Sequence, residues 1–201
     1  MKIETINERL ILEAAEAEFL EKGHKGAATT AIAKRAGVTP AMLHYYYRTK
    51  DNLFQKVFHE KTRMMVNSLD AVFHENSTFE GTVRSFVETH FDFIAENPKL
   101  MIFLYNEIIS CEECRKYFLE QLLPKLNHIA DHFQKLIDDE SSNGLIKPIK
   151  LIDLMMNIIS LNLITFMALP IMKEMMPNQT NHFISERKEN NVRFILNALR
   201  V

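Results

Sequence analysis

The stretch Thr29–Lys50, TTAIAKRAGVTPAMLHYYYRTK, decides the fold. It reads as a short helix, a sharp turn, a second short helix and a basic exit. Ile32, Ala33 and Ala36 gather small and apolar groups on one side of the first helix, and Ala33 is small enough for close helix contact. Gly37 follows where that helix needs a residue at positive φ, which glycine adopts without a Cβ penalty. Val38 plugs the corner. Thr39 is placed to cap the second helix, and Pro40 stands at its first position, where a missing N–H costs nothing. Leu43 and Tyr47, four apart, share the inward face. Pro40, Ala41, His44 and Tyr45 remain on the outer face, flanked by Met42 and Tyr46. Such a pair is a helix-turn-helix, whose second helix enters the major groove of DNA.

Charge points the same way. Between Gly23 and Lys50 there is no Asp or Glu, while Lys25, Lys34, Arg35, Arg48 and Lys50 give the segment a charge of +5. The chain as a whole has 24 basic and 26 acidic residues, so everything else carries −7. A positive segment on an otherwise acidic protein suits an anionic partner held at one place, and DNA phosphate is the leading candidate. The hydroxyls of Thr29, Thr30 and Thr39 suit phosphate oxygens. A helical hairpin with no nucleic-acid role would share the glycine turn. It would not need the missing acids or the run Tyr45-Tyr46-Tyr47-Arg48 ending in Lys50.

This stretch, together with the helix before it, resembles the TetR family of bacterial transcription repressors. The resemblance is carried by Ala14, Ala15, Phe19 and Gly23, then Ile32, Ala33, Ala36, Gly37 and Val38, then Leu43, Tyr45, Tyr47, Lys50, Leu53 and Phe54. It implies phosphate contacts from a threonine at the start of the second helix, from aromatic hydroxyls of the recognition helix and from the lysine that opens the fourth helix. Those roles fall on Thr29, Tyr46 and Lys50. His44 replaces the usual tyrosine after the recognition-helix leucine, and Met42 replaces a small residue. Imidazole still donates to phosphate, whereas a thioether can only pack on a thymine methyl. Both departures bear on the operator sequence. The resemblance also implies a homodimer, a palindromic operator and a small-molecule inducer.

The rest of the chain carries no comparable motif. Its 201 residues, 47% hydrophobic with 5 Gly and 6 Pro, indicate a globular, helix-rich chain. The expected fold is all-α, with a DNA-binding domain over 1–50 and a helical ligand-binding and dimerisation domain over 51–201. The opening MKIETINERL lacks the apolar core of a signal peptide, and two cysteines make no disulfide framework, so a cytoplasmic protein is expected. Thr5 or Asn7 starts the first helix, whose stripe is Leu10, Ile11, Ala14, Ala15 and Phe19, with Glu13, Glu16, Glu18 and Glu21 facing water. A fourth helix runs from Lys50 through Leu53, Phe54, Val57 and Phe58 towards Phe73, before a loop over Glu75–Thr78. Further helices are expected over Phe79–Ala95, after the Asn97-Pro98 restart, and over Glu112–Asp139 with a bend at Pro124. Ser141–Gly144 reads as a loop.

Leu154 to Met172 contains no charge and is about long enough to cross a bilayer. Asn157, Ser160, Asn162 and Thr165 interrupt it, Pro170 ends it, and no basic cluster flanks it, so a helix buried on all sides accounts for it better. This helix and a last one carrying Ile184, Val192, Ile195, Leu196 and Leu199 supply the dimerisation surface. Candidate pocket residues are Phe86, His90, Phe93, Met101 and Phe103, with Tyr105, Phe118, Phe133, Met155 and Met167, because flexible Met and large aromatic side chains adapt to apolar ligands.

His128, Asp131 and His132 share a helix face at zinc-like spacing, but no fourth ligand accompanies them. Cys111 and Cys114 have redox-like spacing, but the intervening glutamates raise thiol pKa values. No Gly-rich phosphate loop or nucleophile elbow is present. A regulator with no metal or cofactor is therefore expected rather than an enzyme. The competing reading is an all-α enzyme or lipid-binding protein that keeps the helix-turn-helix shape without DNA function.

Overall fold

The computed structural model describes residues 6–72 and 78–201. Among these the regular structure is helical: α1 (Ile6–Gly26), α2 (Thr29–Ala36), α3 (Pro40–Tyr47), α4 (Lys50–Ser68), α5 (Phe79–Glu96), α6 (Pro98–Ser110), α7 (Glu112–Ser142), α8 (Leu151–Met167), α9 (Leu169–Met175) and α10 (Thr180–Leu199). A 3-10 turn, Leu69–Ala71, follows α4. Extended pairing among the described residues is limited to one isolated antiparallel bridge, Ile146 with Arg200. Thr5, one of the two expected starts of the first helix, Phe73 and most of the expected Glu75–Thr78 loop lie outside the described residues.

The chain forms two compact bodies. The first runs to Met64 and includes Lys99–Glu120; the second holds Met65–Pro98 and Gln121–Val201. In the first body, α1 buries Ile11, Ala14, Ala15 and Phe19 against α2 and α4. Leu10, expected on this stripe, is exposed. Helical backbone breaks at Gly23, at φ 67° and ψ 178°, which confirms glycine as the stop. Beyond α4 the aromatic core continues into α6: the Phe103 ring lies 6.0 Å from Phe54 and 6.2 Å from Phe58, edge to face. The first turns of α7 join it, with Tyr117 stacked on His59 at 3.6 Å.

Glu18 does not face water as its charge suggested; it is only 1% exposed. One carboxylate oxygen accepts from Lys22 Nζ at 2.7 Å and the other lies 3.7 Å from Arg35. The Lys22 hydrogen bond, with support from the Ala28 backbone N–H and Arg35, holds its pKa below the ordinary value against the opposing effect of burial. Glu18 thus braces α1 against the start of α2, whose N-cap residue Ala28 has no capping side chain of its own.

The second body packs α5, α8 and α10 around Val83, Phe86, Val87, Leu154, Ile158, Val192 and Ile195, with Phe133 and Ile137 added from α7. Asn97 caps the end of α5, its Nδ2 donating to Phe93 O at 3.0 Å, and α6 restarts directly after it at Pro98. Ser141 and Ser142 extend α7, so the loop shrinks to Asn143-Gly144 with Gly144 at φ 70°. α8 is not buried on all sides: Ile152, Met156, Ile164 and Met167 are exposed in the single chain, as is Phe194 of α10. Among the described residues no single helix is long and apolar enough to cross a membrane. The uncharged run is split between α8 and α9, which meet at 49°. α9, which no periodicity announced, begins with Pro170 in its first turn.

Candidate nucleic-acid interface and ligand cavity

The corner between α2 and α3 forms as its residues dictate. Gly37 sits at φ 68° and ψ 26°, and the Val38 N–H donates to Ala33 O at 3.0 Å, closing the end of α2. A Cβ at Gly37 would meet nothing within 4 Å, so the backbone conformation alone calls for glycine there. Thr39 Oγ1 accepts from Met42 N at 3.2 Å, and Pro40 opens α3. Leu43 and Tyr47 are buried, and Tyr47 Oη donates to Glu8 O at 3.2 Å, fixing α3 on α1.

That anchoring turns the other face of α3 outward. Thr39, Pro40, Ala41, His44, Tyr45 and Arg48 are exposed, Tyr45 by 79%; Met42 and Tyr46 are half-buried. The Tyr45 and Tyr46 rings meet edge to face at 5.3 Å. Thr30 is exposed and Thr29 half-buried at the start of α2. The candidate residues therefore gather at the α2–α3 corner of the first body. Lys50 is placed differently from a free surface lysine. Its ammonium donates to His24 O at 2.9 Å and to Ala27 O at 3.2 Å, pinning the α1–α2 connection and leaving one of its three N–H groups for another acceptor. Arg35 is ion-paired to Glu21 at 3.3 Å as well as lying near Glu18. Glu107 of α6 accepts from the His24 N–H at 2.9 Å, and the His24 ring nitrogen lies 2.8 Å from Asp51 Oδ1. Periodicity could not reveal these contacts, because their partners lie up to 83 residues away.

The second body contains an apolar cavity of about 270 Å³. Phe86 from α5 and Leu126, Ile129, Ala130 and Phe133 from α7 form one side; Leu69, with Leu151, Ile152 and Met155 from α8, completes it. Of the candidate pocket residues, the cavity brings together Phe86, Phe133 and Met155. Phe103 belongs to the core of the first body, and Met101, Tyr105 and Phe118 lie in that body too, with Tyr105 exposed. Phe93 is half-buried on α5, and Met167 is exposed on α8. Leu69, Leu126, Ile129, Ala130, Leu151 and Ile152 were missed. They are ordinary aliphatic residues, and only their shared place around the cavity distinguishes them.

His90 stands behind Phe86, with ring centroids 6.2 Å apart, and joins a buried polar chain. Asn162 Nδ2 donates to Val87 O at 2.9 Å and to His90 Nδ1 at 3.2 Å, while Asn162 Oδ1 accepts from Asn191 Nδ2 at 2.9 Å. An amide N–H only donates, so His90 Nδ1 accepts and the ring proton sits on Nε2. Burial pushes the His90 pKa down to about 4, so the ring is neutral at pH 7.

The His128, Asp131 and His132 set includes a side chain outside those described. Cys111 Sγ accepts from Cys114 N at 3.2 Å, and burial, with the neighbouring Cys111 thiol, pushes the Cys114 thiol far above its ordinary value. It stays protonated at neutral pH.

Residues 11–57 match the family model described as "Bacterial regulatory proteins, tetR family". The chain is similar to the fatty acid metabolism regulator protein of Bacillus subtilis, at 24% identity over 67% of this chain; the match spans 66% of that protein's length. Among solved structures, a transcriptional regulator from Streptomyces coelicolor aligns over 95% of this chain and 97% of its own, at TM-score 0.68 and 19% identity. The Bacillus subtilis transcriptional regulator FadR, solved with stearoyl-CoA, aligns over 92% and 97% at TM-score 0.60 and 21% identity. These likenesses extend the shared fold through α10. Residues 11–57 thus match the N-terminal part of the TetR family of bacterial regulatory proteins, and the solved structures share the fold of the helices behind it.

Proposed function

We propose that this protein is a sequence-specific DNA-binding transcription regulator that acts as a homodimer and is released from its operator by a small apolar ligand. The observation that carries the DNA reading is the outward face of α3: Pro40, Ala41, His44 and Tyr45 are presented on a corner that has no acidic residue from Gly23 to Lys50. Met42 and the outer groups of α3 face base edges. Thr29, Thr30, Thr39, Tyr46, Arg48 and the remaining N–H of Lys50 face phosphates. One such helix reads only a few base pairs. Two, set about 34–36 Å apart by a symmetric dimer, read a palindrome. The exposed Met156, Ile164 and Phe194 of α8 and α10 supply the face for the second copy.

The cavity supports the ligand half of the reading, and the acyl-related names among the similar proteins favour a fatty-acyl ligand for it. A ligand that fits one dimer geometry better shifts the population away from the DNA-competent spacing. The test is fluorescence anisotropy with an operator duplex. Tyr45→Ala and Arg48→Ala leave the melting temperature within the error of the wild type and weaken DNA binding at least tenfold. Unchanged DNA binding in both variants would remove the reading.

A further inference from the structure

The geometry points to the cavity of the second body as a length gauge for one aliphatic chain, admitting on the order of nine carbons and turning longer chains away. This rests on the ligand-responsive reading above for its biological use, while the binding limit itself does not depend on DNA. The cavity measures about 270 Å³; at about 30 Å³ per water-sized group it holds on the order of nine methylene-sized groups. Its lining is hydrocarbon apart from the Met155 thioether, so a polar head buried there would lose its hydrogen bonds and must stay outside.

Exposure along the lining gives the cavity a direction. Ile152 is 60% exposed at the open side, whereas Phe86 and Phe133 are almost wholly buried at the closed side. The closed end is backed by a second packed layer. His90 lies behind Phe86 and is held in place by Asn162, whose amide also bonds Val87 O. Behind Phe133 is the buried Phe79, with ring centroids 6.3 Å apart. A chain too long for the space has to displace rings that are themselves packed, and interiors at native density resist that. Phe86 and Phe133 set the depth, and the small Ala130 side chain keeps the bore open.

The test measures binding to the full-length protein without DNA. Saturated fatty acids from hexanoate to stearate, and the coenzyme A thioesters of the same acids, are titrated below their micelle concentrations. Each methylene that enters an apolar site is worth about 0.8 kcal/mol, so affinity rises roughly fourfold per carbon. The expected result is that rise up to about decanoyl, then a plateau or fall, with the break at the same length in both series. Phe86→Ala moves the break several carbons longer, Phe86→Leu moves it less, and Ala130→Leu weakens every length. Should Phe86→Ala fail to fold, Phe86→Leu carries the comparison. A continuous rise to stearoyl, no binding at any length, breaks at different lengths in the two series, or a break indifferent to Phe86 would overturn the gauge. Chains that bind with the predicted break but leave the operator complex intact would count against the regulatory reading and not against the gauge.

Discussion

Replacing Lys50 by methionine separates two roles that one ammonium can hold. Methionine keeps the unbranched stem and removes the charge. The protein then loses the hydrogen bonds to His24 O at 2.9 Å and Ala27 O at 3.2 Å, at the connection between α1 and α2. Hydrogen bonds to charged groups are worth about 1.5–3 kcal/mol each. Lys50 is half-buried and water partly replaces it as donor, so the two together come to about 2–4 kcal/mol. Against a typical total of about 5–15 kcal/mol this is a large loss. Urea unfolding of Lys50→Met is expected to show a lower midpoint at unchanged slope. Operator binding is then followed from low to moderate salt, under conditions where the variant is folded. A phosphate contact from Lys50 in each protomer contributes about 0.9 to the slope of log K against log salt, so losing both lowers the slope by about 2. An unchanged slope with weaker binding would mean that Lys50 serves the corner only through its two carbonyls. An unchanged unfolding midpoint would refute the staple itself.

Asn162→Leu leaves the Asn191 amide and His90 Nδ1 without a partner in a buried site, and is expected to cost about 2–5 kcal/mol by thermal or urea unfolding. The Asn162→Leu/Asn191→Leu double variant should lose less than the sum, and strict additivity would contradict the network. His90 is held down to about 4, below its unfolded value near 6.5, so the unfolded chain binds the proton first. Stability is therefore lost as pH falls from about 6.5 towards 4, by on the order of 3 kcal/mol, and His90→Gln should flatten that limb of the curve. Glu18 has the opposite origin and the same direction. Its folded pKa lies below the ordinary carboxylate value, so its contribution is full above the unfolded pKa and fades as pH drops through the folded one. Glu18→Gln should be less stable than wild type at pH 7, with the gap closing in acid. Gly37→Ala should cost about 1–2 kcal/mol, since φ is 68° there and nothing crowds the Cβ position; a neutral effect in chemical denaturation would show that the turn relaxes.

The helix-turn-helix corner was legible because its determinants are local. Gly37, Thr39 and Pro40 act within a few residues of one another, and the inward pair Leu43 and Tyr47 follows from helical spacing alone. Glu18 faces water only on a reading that puts its charge above its position. It sits four residues after Ala14, on the buried stripe, and the cations that neutralise it there are Lys22 one turn on and Arg35 from the next helix. Phe103 reads as a pocket residue in sequence because a large aromatic side chain looks the same lining a cavity or filling a core. Its assignment depends on α6 packing with Phe54 and Phe58, which local patterning cannot report. α8 read as buried all round because it is apolar all round; one chain covers only part of it, and the remaining face awaits a second copy in the dimer proposed above. Lys50 was placed by resemblance as a phosphate contact, and its two carbonyl partners emerge only when the end of α1 is folded against α4.

The claim that two copies of this corner read one duplex is tested most directly by selecting bound sequences from a random double-stranded DNA pool at moderate salt. The expected result is an enriched inverted repeat whose half-sites are centred about 34–36 Å apart, one helical turn. Enrichment is lost when Tyr45 and Arg48 are replaced together by alanine. Enrichment of no sequence, or of a lone half-site with no symmetric partner, would contradict it.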